Sequence, residues 1–179
     1  MSLLARVSDL IGRLGIDHAV IGAAALAAHG VPRATADLDL LVVDTTCLEE
    51  STWGELRGAG VGVEIRRGDT TDPLAGVVRV TVGGESAIDV IVGRDGWQRE
   101  VLERARLTRI GDASVSVVEA VDLVLLKLFA GGPQDAWDLD QLLDVDEAIA
   151  PQVEARLPDL PEDCRGLWAR ILAQRVGRA

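Results

Sequence analysis

Two carboxylates set two residues apart at the mouth of an apolar run, Asp37-Leu-Asp-Leu-Leu-Val-Val43, constrain this chain more than any other feature. A short run rich in Leu and Val reads as a buried strand, and strand periodicity puts the side chains of Asp37 and Asp39 on one face. Side by side in an apolar segment the two repel each other and are costly to desolvate, so something positive must compensate them. A hard divalent cation, Mg²⁺ or Mn²⁺, answers that need. The bland alternative for an isolated Asp-x-Asp is a cap or a solvated strand start.

A third acid stands in Ala87-Ile-Asp-Val-Ile-Val92, again alone in a β-rich apolar run. If that strand lies beside the first, Asp89 completes a cluster of three carboxylates. Such a cluster can hold two metals about 4 Å apart, one on a triphosphate and one activating an acceptor hydroxyl for in-line displacement. Asp89 could also take the acceptor proton as general base. Taken by itself, Asp89 could equally follow a bulge or face solvent on an edge strand.

Upstream, the run from Asp17 to Ile21 reads as a strand that ends at Gly22, and the Ala-rich stretch Ala23 to Ala28 as a helix closed by Gly30 and Pro32. The first N–H groups of such a helix can cradle phosphate oxygens, and glycine permits close backbone approach. For Gly22 alone, a tight strand-to-helix turn without ligand is the simpler reading.

The remaining pattern is α/β. Helical spacing covers residues 2–14, a modest helix 47–58, a mixed-charge helix 95–106, and an apolar helix Val118 to Phe129 preceded by Ser116 and Glu119 at capping-box spacing. Strands are expected at Val61 to Ile65, Val77 to Val82 and Ser86 to Val92, the last two joined as a hairpin by Gly83-Gly84. After Gly131-Gly132-Pro133 come a helix over about 134–143 and two further short helices. Only one Phe and four Trp accompany a 48% hydrophobic content, so the core must be built from Val, Leu, Ile and Ala. The expectation is a mixed β-sheet core flanked by helices over residues 1–112 and a helical C-terminal part over 113–179 packed on it.

Lys127 is the only lysine in the chain and lies in the apolar helix, where it needs a partner. It could neutralise phosphate charge, snorkel at the helix end, or pair with Asp135 or Asp138. Those two acids stand three apart on one face of the following helix, placed to position Lys127, to face a nucleotide, or simply to cap and solvate. Arg33 and Thr35 precede the Asp pair and could bind phosphate or hold the loop. His29 suits packing or capping better than catalysis, and His18 and the tryptophans Trp53, Trp97, Trp137 and Trp168 read as packing residues.

Taken together, Ile21-Gly-Ala-Ala-Ala-Leu26, His29-Gly30 followed by Arg33-x-Thr35-x-Asp37-x-Asp39, Ile88-Asp89-Val90 and Lys127-Leu-Phe-Ala-Gly-Gly-Pro-Gln-Asp-Ala-Trp-Asp-Leu139 resemble the nucleotidyltransferase superfamily, with its polymerase-beta-like fold. The likeness runs over about residues 17–143 and is to its small bacterial members related to abortive-infection and toxin–antitoxin nucleotidyltransferases. The resemblance implies Asp37, Asp39 and Asp89 as metal ligands and catalytic residues together with Lys127. It implies Gly22, Ala23, Arg33, Thr35, Lys127, Asp135 and Asp138 around the nucleotide. Where such proteins carry a serine against the triphosphate, this chain has Ala23, which removes a hydroxyl and leaves the backbone amides.

The resemblance implies transfer of a nucleoside monophosphate from a nucleoside triphosphate to a protein or RNA hydroxyl. A non-catalytic member that binds nucleotide or a cognate partner protein, as in a toxin–antitoxin pair, is the alternative. A formal net charge of −11 argues against strong non-specific nucleic-acid binding. Without an apolar stretch of about 20 residues or a leader pattern, a cytoplasmic protein and no membrane contact are expected. Cys47 and Cys164 have no ligand-like spacing.

Overall fold

Alternation with a period of two builds the sheet. In β5 (Ala87–Val92) every second residue, Ile88, Val90 and Val92, is buried, and Ala87, Asp89 and Ile91 form a half-buried face. β4 (Gly76–Thr81) repeats the pattern, with Val78 and Val80 fully buried and Arg79 on the other face. The hairpin between them turns at Gly84, whose φ of 82° is the left-handed conformation that favours glycine. The structure is a computed structural model and describes residues 1–33 and 35–177.

The chain divides into two units, Met1–Ala24 with Ala34–Val118, and Ala25–Arg33 with Glu119–Ala179. The division falls inside the helix α2 (Gly22–Ala28), after Arg33, and again just before α5. The first unit holds a seven-stranded mixed sheet in the order β3-β4-β5-β2-β1-β7-β6. β1 (His18–Ile21) and β2 (Asp37–Val42) are antiparallel, β2 and β5 parallel, and β1 and β7 (Ala113–Val117) parallel. β3 (Gly62–Arg67) pairs with β4, and β6 (Arg106–Ile110) with β7, both antiparallel. α1 (Leu3–Arg13) packs against β7, β5 and β1, and its Val7 and Ile11 are fully buried.

Several local features differ from the sequence expectation. The stretch 47–58 is two 3₁₀ turns, Thr45–Leu48 and Glu50–Trp53, followed by the single-turn helix α3 (Gly54–Gly58). Its short polar side chains bond local backbone and compete with a helix: Asp44 accepts from the Thr46 N–H at 2.9 Å and the Thr52 hydroxyl donates to the Thr46 carbonyl at 2.6 Å. Beyond α4 (Gly96–Arg104) the chain forms the unforeseen hairpin β6–β7. Ser116 therefore lies in a strand and not at a capping box; α5 (Ala120–Ala130) starts after Glu119, which makes no side-chain cap bond. The strand 113–117 pairs in the sheet and so groups with the first unit.

In the second unit α5 packs against α6 (Pro133–Val145), α7 (Ile149–Arg156) and α8 (Glu162–Val176). α8, at 15 residues, is not the short helix expected. Val124, Leu139 and Val153 are fully buried between these helices, whereas Trp137 is 53% exposed and is not a packing residue. α5 ends at Gly131, with φ 66° and its N–H bonded to the Lys127 carbonyl, and Pro133 opens α6. No helix among the described residues is long and apolar enough to cross a membrane.

Candidate functional site

Register decides where the acids meet. Asp39 on β2 lies opposite Asp89 on β5 in the parallel pair, and Asp37 projects from the same face of β2 two residues earlier. On the far side of β5, Arg79 of β4 stands opposite Asp89. Four adjacent strands therefore carry one cross-strand row, Arg79, Asp89, Asp39 and Ile21, with Asp37 beside it.

Sequence reasoning missed Arg79. Its guanidinium bridges two of the three carboxylates, donating from one nitrogen to Asp89 Oδ2 at 2.8 Å and from another to Asp37 Oδ2 at 3.0 Å. The positive charge that the paired acids require is thus supplied by a side chain of the sheet itself. Its other cross-strand neighbour, Glu64 of β3, is engaged by Arg66 at 2.8 Å, so Arg79 turns inward to the acids. The hydrogen bond to Asp37, then the charges of Asp89 and Asp37, hold the Arg79 pKa above its ordinary value. The hairpin register carried the missing signal: counting outward from Gly84 places position 79 opposite 89.

Gly22 has a specific task here. A Cβ at this position would run into the Asp39 carboxylate, and the φ of 63° is one that side chains rarely adopt. The carboxylate therefore lies directly over the glycine, at the junction of β1 and α2, with Ala23 half-buried in the first turn of that helix. Thr35 fixes the entry to β2: its hydroxyl donates to the Asp37 carbonyl at 2.7 Å and accepts from the Asp37 N–H at 3.3 Å. Thr35 is exposed and makes a loop brace.

The second group of expected residues forms its own cluster in the helical unit. Lys127 Nζ donates to Asp135 Oδ1 at 3.0 Å and to Asp138 Oδ2 at 2.5 Å, and Arg33 donates to the same Asp138 oxygen at 2.5 Å. Asp138 is completely buried and Lys127 nearly so. Asp135 also accepts from the Gly132 N–H at 3.0 Å, which fixes the start of α6. Of the roles open to Lys127, pairing with both acids is the one the geometry displays. Asp138 Oδ1 has no partner among the described residues.

Among the described residues no group of three or more His, Cys, Asp or Glu is disposed to hold a metal ion. The donor chemistry of Asp37, Asp39 and Asp89 nevertheless suits a hard cation: carboxylate oxygens on adjacent register positions, on a half-exposed face. What stands against the fit is the disposition, with Arg79 drawing one oxygen of Asp37 and one of Asp89 to itself.

No family model and no curated protein sequence matches this chain. Solved structures do. An antigenic nucleotidyltransferase-like protein from Paracoccidioides brasiliensis superposes with a TM-score of 0.56 at 16% identity, over 98% of this chain and 88% of that one. The antibiotic-resistance factor ANT(2'')-Ia in solution gives 0.54 at 13% identity, over 98% and 92%. The same factor in complex with adenylyl-2''-tobramycin gives 0.51 at 14%, over 97% of both chains. This chain has a nucleotidyltransferase fold. At these identities the likeness speaks for the fold alone, and the chemistry rests on the residues of this nucleotidyltransferase-fold chain.

Proposed function

We propose that this chain transfers a nucleoside monophosphate from a nucleoside triphosphate to a hydroxyl, releasing pyrophosphate, in the cytoplasm. The observation that carries the reading is the half-exposed row of Asp37, Asp39 and Asp89 on neighbouring strands beside the cleared position at Gly22. These three carboxylates would hold Mg²⁺ or Mn²⁺, which when bound polarises the α-phosphate and acidifies the acceptor hydroxyl. The protein does the rest. Asp89 takes the acceptor proton, Gly22 leaves the room that the Asp39 carboxylate occupies, and Thr35 with the sheet register fixes the spacing of the acids. Lys127, Asp135, Asp138 and Arg33 act as a brace within the helical unit, a positioning role that their mutual pairing supports better than direct contact with nucleotide.

For the acceptor, the net charge of −11 favours a protein hydroxyl over RNA, whose phosphates it repels. A small-molecule hydroxyl enters the choice because one similar structure holds adenylyl-2''-tobramycin. The test is incubation with α-labelled nucleoside triphosphates, Mg²⁺ and acceptors of the three kinds, using the native chain and Asp37→Ala. Label transferred by the native chain alone is expected; equal labelling by both removes Asp37 from the mechanism.

A second reading is favoured by two observations, the absence of a hydroxyl at Ala23 and the guanidinium bridge across Asp37 and Asp89. In it the chain binds nucleotide, or a cognate partner protein of toxin–antitoxin type, without turnover. Mg²⁺-dependent ATP binding with no pyrophosphate release across all acceptors would select it.

A further inference from the structure

We propose that Arg79 is a resident counter-cation that competes with a divalent metal for Asp37 and Asp89, so that the site is latched until its oxygens are claimed by the metal and the guanidinium is released. The inference rests on the metal-site reading above and concerns the regulation of that site. The argument begins with charge. Three carboxylates share one face of two adjacent strands, and such a set holds together only with positive charge among them. Arg79 supplies it by giving two different nitrogens to two different acids, so each of those acids commits one oxygen to the same residue. Asp37 and Asp89 would also be the ligands of a divalent cation held here, and the guanidinium charge, 3.0 and 2.8 Å from their oxygens, opposes that cation's approach.

The exchange is feasible because the latch is not sealed. Side-chain exposure is 37% for Arg79, 39% for Asp37 and 19% for Asp89, so water can solvate the guanidinium as it leaves. The released side chain is anchored on β4, beside the acids, and its planar fork matches phosphate oxygens as well as it matches carboxylates. The latch would also keep the empty acids from repelling one another, which makes the fold independent of metal. The neighbour on the other side, Glu64, is paired with Arg66, and among the described residues the hydrogen bonds of Arg79 go to Asp89 and Asp37.

Mn²⁺ titration of the full chain without nucleotide, followed by electron paramagnetic resonance, tests this with a readout other than activity. The proteins are the native chain, Arg79→Met, Arg79→Lys and Asp37→Asn, each also melted in EDTA and in Mn²⁺. A latch closed about nine-tenths of the time weakens apparent metal affinity about tenfold, so Arg79→Met should bind Mn²⁺ about tenfold more tightly than the native chain, with Arg79→Lys in between. Arg79→Met should also melt lower in EDTA and gain more from Mn²⁺ than the native chain does. Should Arg79→Met fail to fold in EDTA, the comparison of Arg79→Lys with the native chain decides. Unchanged or weaker Mn²⁺ binding on removing Arg79, with binding still lost in Asp37→Asn, overturns the latch and leaves the metal reading standing. No Mn²⁺ binding by any of the four proteins overturns the metal reading and the latch with it.

Discussion

Asp138 and Asp89 are both carboxylates held by a basic side chain, one inside a helical bundle and the other on a sheet face. Asp138 has no exposed side-chain surface and is gripped by Lys127 and Arg33 together. Asp89 keeps 19% of its side-chain surface, and its partner Arg79 keeps 37%. The two clusters draw on the same chemistry, yet burial gives them different freedoms. A sealed ion pair cannot lose a partner without leaving an uncompensated charge in apolar surroundings, so it fixes architecture. A half-exposed pair can exchange its partner for water or for another ion at little cost, so it can serve a ligand.

The contrast breaks first if Asp138 proves dispensable. Asp138→Ala leaves Lys127 and Arg33 without their shared anion and should remove about 3–5 kcal/mol of stability, measured by urea unfolding. A loss below about 1 kcal/mol would place Asp138 with the surface pairs and erase the distinction. Next in size, Gly22→Ala should destabilise by about 1–3 kcal/mol, because alanine at φ 63° is strained and the Asp39 carboxylate must also move. Its melting curve should shift down, and Mg²⁺-dependent ATP binding should fall with it.

Asp37→Asn sharpens the contrast from the other side. It removes a partly exposed partner of Arg79 and should change stability by less than about 1 kcal/mol, while transfer of label falls about 100-fold or more. The smallest effect belongs to a pair outside both clusters. Arg13, exposed between Asp9 and Glu55, should lower the melting temperature only slightly on replacement by alanine, a difference that disappears near 1 M salt, where screening acts over about 3 Å.

Much of the sheet was legible because its strands follow simple alternation. The facing of Asp37 and Asp39 follows from strand period, and the β4–β5 hairpin from Gly83-Gly84. β6 and β7 were not legible for a physical reason: Arg106 to Ile110 is an edge strand with charge at every third residue and little burial, so no apolar alternation marks it, and its first residue falls within the helix expected over 95–106. The turn at Gly111-Asp112 and the alternation Ala-Ser-Val-Ser-Val were the signals available. At the site, sequence could show that the acids need a cation but not which one. An arginine in the next strand becomes visible only once hairpin register is counted. For Lys127 the sequence offered three roles of similar merit, and only packing of α5 against α6 selects pairing with the acids.

The central claim, that the half-exposed acids form a metal-dependent nucleotide site, is tested most directly by calorimetric titration of ATP into the native chain and into Asp39→Asn, each in Mg²⁺ and in EDTA. The account predicts binding by the native chain in Mg²⁺ only, and affinity at least about tenfold weaker in Asp39→Asn, a difference of about 1.4 kcal/mol, at nearly unchanged melting temperature. Equal affinity in the two proteins, or binding indifferent to Mg²⁺, would contradict it.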